Sequence, residues 1–336
     1  MAEIVLGIGI SHSPQLSTPT EVWERHAERD RSQSALLGTD GEFHTYDELL
    51  ARAEPGLADA LTPRIWEEQY ARSQAGIERI ADELAAAQAD VVVVFGDDQH
   101  ELFLDDGIPA FALSLSDSLW DYPPSPEQLA SLPSGLAEAS WAQHSPQPDQ
   151  YRGHPELNGH VARCLTDAGF DLCVLRKQPE GRSLGHAYTF VRRRLGLTSE
   201  TIVMPVFLNT YFMPNVPSVE RCYDFGRHLA RAVEEWPEPL RVAVVASGGL
   251  SHFVVDEALD RGVLEALRHD DLPLLQDITK GKMRSGTSEV LNWVAAAGAL
   301  KGRPMEVLDY IPAYRTPAGT GIGMGFCLWR QGVLRK

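Results

Sequence analysis

RVAVVASGGLSH, residues 241–252, is the stretch on which the reading of the fold turns. Its first half, Arg241–Ala246, is a run of small and β-branched apolar residues, the pattern of a strand covered on both faces. Its second half changes to serine and glycine and ends on His252. Four other runs share the character of the first half: Glu3–Ile10 (EIVLGIGI), Asp90–Phe95 (DVVVVF), Phe170–Leu175 (FDLCVL) and Thr201–Leu208 (TIVMPVFL). Helical patterns lie between them at Ile65–Gln88, Val219–Glu235 and Asp256–Leu267, with the apolar residues gathered on one face. This alternation predicts an α/β fold, a three-layer domain with a mixed or parallel central sheet flanked by helices. Two segments break the alternation, Ser17–Ala53 and Asp117–Gly153, and the second carries the proline-rich DYPPSPEQ. They read as excursions, lids or subunit contacts, from a single domain spanning 1–336.

Composition narrows the classes of function. A formal charge of −17 over 336 residues argues against nucleic acid or an anionic membrane surface as partner. No apolar run is long enough to predict a membrane-spanning helix. The opening MAEIVLGIGISHSP lacks the basic flank and cleavage site of a signal peptide and reads as the first strand. Four widely spaced cysteines, Cys164, Cys173, Cys222 and Cys327, form no CxxC pair. They are expected to be reduced, buried and not metal-binding, in a cytoplasmic protein.

The chemistry is read from where histidines fall. The first strand runs into Ser11-His12-Ser13-Pro14, the strand Asp90–Phe95 into Gly96-Asp97-Asp98-Gln99-His100-Glu101, and the strand Arg241–Ala246 into SGGLSH. Ligands of open α/β sheets bind beyond the carboxyl ends of strands, so three such histidines point to one crevice. Two imidazoles and one carboxylate make a non-haem iron site that leaves one face of the metal open. Glu289, in Gly286-Thr287-Ser288-Glu289-Val290, is the candidate carboxylate; the bland alternative is a first-turn glutamate favoured by the helix dipole.

SHSP, SGGLSH and the Ser288-to-Ala296 segment SEVLNWVAA, in that order, resemble the class III extradiol ring-cleavage dioxygenases, of the protocatechuate 4,5-dioxygenase and 2,3-dihydroxyphenylpropionate 1,2-dioxygenase type. The resemblance implies an Fe(II) enzyme that opens a catechol ring with dioxygen. It implies His12, His100 and Glu289 as metal ligands, His252 as the base that takes the catechol proton, and His186 as a second active-site histidine. Ser11, Ser13, Asp97 and Asp98 become candidates to hold the ligands, and Tyr188, Tyr211 and Phe212 an aromatic wall or core. One departure stands out. The family has Asp followed directly by His, whereas Gln99 here separates Asp98 from His100. Either a bulge restores His100, the better Fe(II) ligand, or Gln99 takes its place. The competing readings are a catalytically altered or non-catalytic relative, and a zinc hydrolase using the same cleft. A homo-oligomer, as a dimer, is expected. The glycine-rich TPAGTGIGMGF fails as a nucleotide-binding fingerprint, because no helix follows it.

Overall fold

In the computed structural model, which describes residues 1–133 and 135–330, the VVVVF run forms the strand Val91–Gly96. Its side chains alternate between two cores. Val91, Val93 and Phe95 face one cluster and Val92 and Val94 the other, and all five are fully buried. At about 1.5–3 kcal/mol for each large apolar side chain removed from water, such doubly covered strands anchor the domain. Helices Val219–Glu234, Glu257–His269 and Val290–Ala299 cover the first face. Helices Pro63–Ala87 and His186–Leu195 cover the second. The expected three layers are present.

Four neighbouring strands run parallel in the order Glu3–Ile10, Arg241–Ser247, Val91–Gly96, Ile202–Leu208. Antiparallel strands extend the sheet at both sides, so it is mixed. The expected strand at Phe170–Leu175 contracts to Cys173–Leu175, near the sheet's edge. Two long strands went unassigned from the sequence: Met305–Tyr314 and Thr320–Trp329, paired with each other. The second contains the glycine-rich TGIGMGF and pairs with the first strand and with His252–Val254. Glycine disfavours strands, which hides this one. Here the absent Cβ atoms leave room for Asp260 beside Gly323 and for Trp293 beside Gly325.

The excursions are structured. The first folds into helix Trp23–Arg31, a small hairpin (Leu36–Leu37 with Phe43–His44) and helix Tyr46–Arg52. The second holds the strand pair Ser118–Asp121 and Asp149–Arg152 with helices Pro126–Ser131 and Leu136–Gln143 between them. Ser134 and the last six positions of the expected domain lie outside the described residues. Among the described residues all four cysteines are free, and no helix is long and apolar enough to cross a membrane.

Candidate metal centre and its cavity

The parallel strands end side by side, and their continuations meet. His12, two residues past the first strand, is almost fully buried. Its Nδ1 lies 3.0 Å from Ser247 Oγ, and that hydroxyl spends its one proton on Ala187 O at 2.6 Å. Ser247 therefore accepts from His12, Nδ1 carries the imidazole proton, and Nε2 keeps a lone pair. That Nε2 has no hydrogen-bond partner and lies 3.2 Å from Glu289 Oε2. His252 is arranged in the same way: Nδ1 donates to Leu250 O at 2.9 Å, and Nε2 lies 3.3 Å from the same Glu289 oxygen.

Glu289 is where the short turn Ser285–Glu289 passes into helix Val290–Ala299. Its carboxylate does not cap that helix. Oε2 accepts the Gly249 N–H at 2.7 Å, and Oε1 accepts from Gln99 Nε2 at 3.2 Å. Burial alone would favour protonation, but positive charge on the side of His252 and His12, a proton on either ring or a cation between them, outweighs it and holds the carboxyl well below the usual range. Asp97 is also buried, and it is pushed the other way, by burial and by the charge of Glu289. It accepts from Asn292 Nδ2 and Gln99 Nε2, each at 3.1 Å. His12, Asp97 and Glu289 each offer a ligand atom, all within 4.8 Å of one another. Lone pairs and carboxylates this close in a buried space call for positive charge between them, a proton or a metal cation. An orphaned imidazole nitrogen flanked by two carboxylates is a donor set that fits a divalent metal.

His100 is not brought to this group. Asp98 bends the chain by accepting the N–H groups of Glu101, Leu102 and Phe103 at 3.2, 2.8 and 3.0 Å. His100 takes a left-handed conformation (φ 64°) in that bend. Its ring stacks on Phe212 at 4.2 Å, and its Nε2 lies 3.4 Å from exposed Asp105. Gln99 faces inward instead and touches both carboxylates. The expected bulge does not form, because a side-chain-capped turn replaces the extended backbone there.

His186 begins helix His186–Leu195, its ring edge-on to His12 at 4.7 Å between centroids. Glu101 Oε1 accepts both the His186 backbone N–H and Nδ1–H, each at 2.8 Å. Burial opposes a charge on the ring, yet Glu101 more than offsets this and raises His186 to about 10. The Glu101 carboxylate thus favours the imidazolium form of His186, beside the His12 ring.

The loop carrying His252 is braced from below. Asp260 accepts from Ser251 N, Ser251 Oγ and Tyr310 Oη, all at 2.7 Å. Thr287 Oγ1 accepts the His252 N–H at 3.0 Å. The ring is clasped by Gly249 and Gly286, and a Cβ at either would overlap it. Trp293 Nε1 donates to Gly248 O at 2.8 Å, and its ring fills the space left by Gly9. Of the proposed supporting residues, Ser11, Ser13 and Asp98 bind backbone N–H groups rather than imidazoles. Tyr188 belongs to the core, its Oη donating to Gly96 O at 2.7 Å, while Tyr211 lines the cavity. Asn292, Ser247 and Glu101 were missed. Only Asn292 left a trace, standing three residues after Glu289 on the same helical face.

A cavity of about 830 Å³ opens over this group, lined by His12, Gln99, His186, His252 and Glu289 on its floor. Both excursions supply its walls, including His26, Arg29, Tyr122, Pro123 and His144. His26 is thus a pocket residue, whereas His44 pairs with Asp40 away from the cavity.

Comparison with known proteins agrees with this geometry. The family described as "Catalytic LigB subunit of aromatic ring-opening dioxygenase" matches residues 65–325. Gallate dioxygenase of Pseudomonas putida is 30% identical over 185 residues, 51% of this chain and 52% of that protein. The 2,3-dihydroxyphenylpropionate/2,3-dihydroxicinnamic acid 1,2-dioxygenase of Comamonas testosteroni is 25% identical over 186 residues, 54% of this chain and 47% of that one. The chain thus spans about half the length of the curated relatives it matches. A crystal structure of an uncharacterized Escherichia coli K12 protein superposes with a TM-score of 0.45 at 15% identity, covering 75% of this chain and 91% of that one.

Proposed function

The chain belongs to the LigB family of aromatic ring-opening dioxygenases, and on that premise we propose that it is a non-haem Fe(II)-dependent extradiol dioxygenase acting on a catechol-type substrate. One observation carries the reading: His12 Nε2 and His252 Nε2 converge on a single oxygen of an ionised Glu289, beside buried Asp97, on the floor of a cavity of ligand size.

His12 and Glu289 would hold the metal, with Asp97 against it. Iron, when bound, would supply open positions for substrate oxygens and for dioxygen. The remaining chemistry falls to the side chains. His252 presents a lone pair at Nε2, because its proton is committed to Leu250 O, and so is set to take a proton from a substrate hydroxyl. His186, kept charged by Glu101, holds a proton at Nε2 for oxygen atoms that gain negative charge. The buried floor excludes water from both transfers.

Of the three ligands expected from the sequence, His100 is replaced in this proposal by Gln99, whose amide reaches both carboxylates. Its amide nitrogen donates to them and cannot ligate. Even with the amide turned over, its oxygen is a poorer Fe(II) ligand than an imidazole, so iron would be held less tightly than by two histidines. This substitution also favours the second reading, a catalytically altered relative or a zinc-dependent hydrolase. Anaerobic loading with Fe(II), followed by oxygen uptake against a panel of catechols, separates them. Consumption of one dioxygen per ring opened supports the dioxygenase; stoichiometric zinc with no uptake on any catechol sinks it. The reading carries with it a cytoplasmic homo-oligomer, which sedimentation of the purified chain would test.

A further inference from the structure

Five non-glycine residues among the described residues have a left-handed backbone. Two of them, Gln88 and Asp270, end helices, where that conformation is routine. The other three, His100, Phe253 and Ser285, stand in the loops around the metal centre. The turn closed by Asp98 accounts for His100. Ser285, at φ 54°, directly precedes Gly286, one of the two glycines against the His252 ring. Phe253, at φ 65°, directly follows His252. A left-handed backbone suits glycine and is tolerable for asparagine, but it crowds the Cβ of a bulky aromatic residue. Such a residue persists only where its surroundings hold it.

The effect is visible in the strand His252–Val254. Neighbouring residues of a regular strand point to opposite faces, yet His252 and Phe253 both line the cavity. The left-handed residue breaks the alternation. Pairing with Thr320–Trp329 continues through it, His252 opposite Ile322 and Phe253 opposite Gly321, so the kink is local. Phe253 itself packs against a small apolar cluster of Leu36, Leu49, Val254 and Ala318. Leu36 and Leu49 come from the hairpin and the second helix of the first excursion. The Phe253 ring stands edge-on to that of His252, 6.1 Å away between centroids. The excursion thus grips the residue next to the proposed base.

We infer that Phe253 is a positioning residue: gripped by the first excursion, its left-handed backbone holds His252 in the cavity with Nε2 toward Glu289. The inference rests on the ring-opening reading for what His252 does there, and not for how it is held. It gives the first excursion a part in the site beyond its share of the cavity wall.

Three substitutions separate conformation from packing. Phe253→Ala removes the ring and resists a left-handed backbone. Phe253→Gly removes more of the side chain but accepts that backbone freely, and Phe253→Asn accepts it in part. A residue that only fills space would be missed most in Phe253→Gly; one that positions His252 is missed most in Phe253→Ala. The first readout is the His252 Nδ1–H resonance, which its bond to Leu250 O should protect from exchange with water. It is recorded by heteronuclear NMR on the chain loaded with diamagnetic zinc(II), and assigned by its absence from His252→Ala. The second is kcat and KM of the Fe(II)-loaded chain against a panel of catechols. Phe253→Ala should lose the resonance and at least about tenfold in kcat with KM little changed, as for a displaced proton acceptor. Phe253→Gly and Phe253→Asn should keep more of both, and should melt about 2 °C above Phe253→Ala. Unfolding of Phe253→Ala alone is the same ordering and upholds the inference; unfolding of all three marks plain core packing and overturns it. It is also overturned if the unsubstituted chain lacks the resonance, or if Phe253→Ala does no more harm than Phe253→Gly. The predicted order of resonances with no catechol consumed by any form upholds the positioning and removes the ring-opening reading. Catechol consumption with the resonance intact in all three variants does the reverse.

Discussion

Two neighbouring strand ends, a single strand spacing apart in the sheet, treat their histidines in opposite ways. After Arg241–Ser247 the chain makes the SGGLSH loop, in which Asp260, Thr287 and Leu250 O absorb the polar groups and two glycines clasp the ring. The clasp and the Nδ1–H bond to Leu250 O turn His252 Nε2 toward Glu289. After Val91–Gly96 the chain makes GDDQHELF, in which Asp98 takes three successive N–H groups and closes a turn. That turn stacks His100 on Phe212 at the cavity wall and brings Gln99 in against Glu289. A histidine's presence at a strand end therefore says less than the hydrogen bonds of the loop that carries it. Imidazole has the greater affinity for metal, but the turn decides which side chain arrives.

The comparison breaks most completely at the carboxylate that both ends share. Glu289→Gln should reduce bound metal to background, read by elemental analysis, because a neutral amide no longer balances the cation; retained metal would mean that the site is elsewhere. A smaller effect sharpens the contrast. Gln99→His should supply the missing imidazole and raise Fe(II) affinity on the order of tenfold, measured by competition with a chelator. Unchanged affinity would show that position 99 does not face the metal.

On the braced side, Asp260→Ala leaves Ser251 N–H and Tyr310 Oη without their buried acceptor. Stability should fall by about 2–3 kcal/mol in urea titration, as expected for buried groups left unpaired. No loss would mean that the loop is held by something other than Asp260. The smallest effect is expected at His100, which lines the cavity wall away from the two carboxylates. His100→Ala should leave metal content intact and stability within about 0.5 kcal/mol, as for a surface substitution. Loss of metal in this variant would restore His100 as a ligand and reject the turn that holds it away from the carboxylates.

Much of the architecture was legible because buried parallel strands write themselves as unbroken apolar runs, as VVVVF and RVAVVA do. The hairpin at 305–329 was not, because its glycines exist for the sake of Trp293 and Asp260, which are distant in sequence. His12, His252, Glu289 and His186 could be named from motifs, and the structure brings those four together. The relative duties of Gln99 and His100 could not, since one residue of register depends on the side-chain cap formed by Asp98. Arg29 and Arg315 were equally hidden. They belong to opposite ends of the sequence and come together beside Asp30 at the cavity wall.

His12 and His252 face the same Glu289 oxygen at nearly the same distance, yet in the proposed function one serves the metal and the other the substrate's proton. Iron content after anaerobic reconstitution of His12→Ala and His252→Ala, measured side by side, tests that division most directly. His12→Ala is expected to fail to hold iron, while His252→Ala holds it at the wild-type ratio and loses ring opening. Equal iron in the two variants, whether both full or both empty, would contradict it.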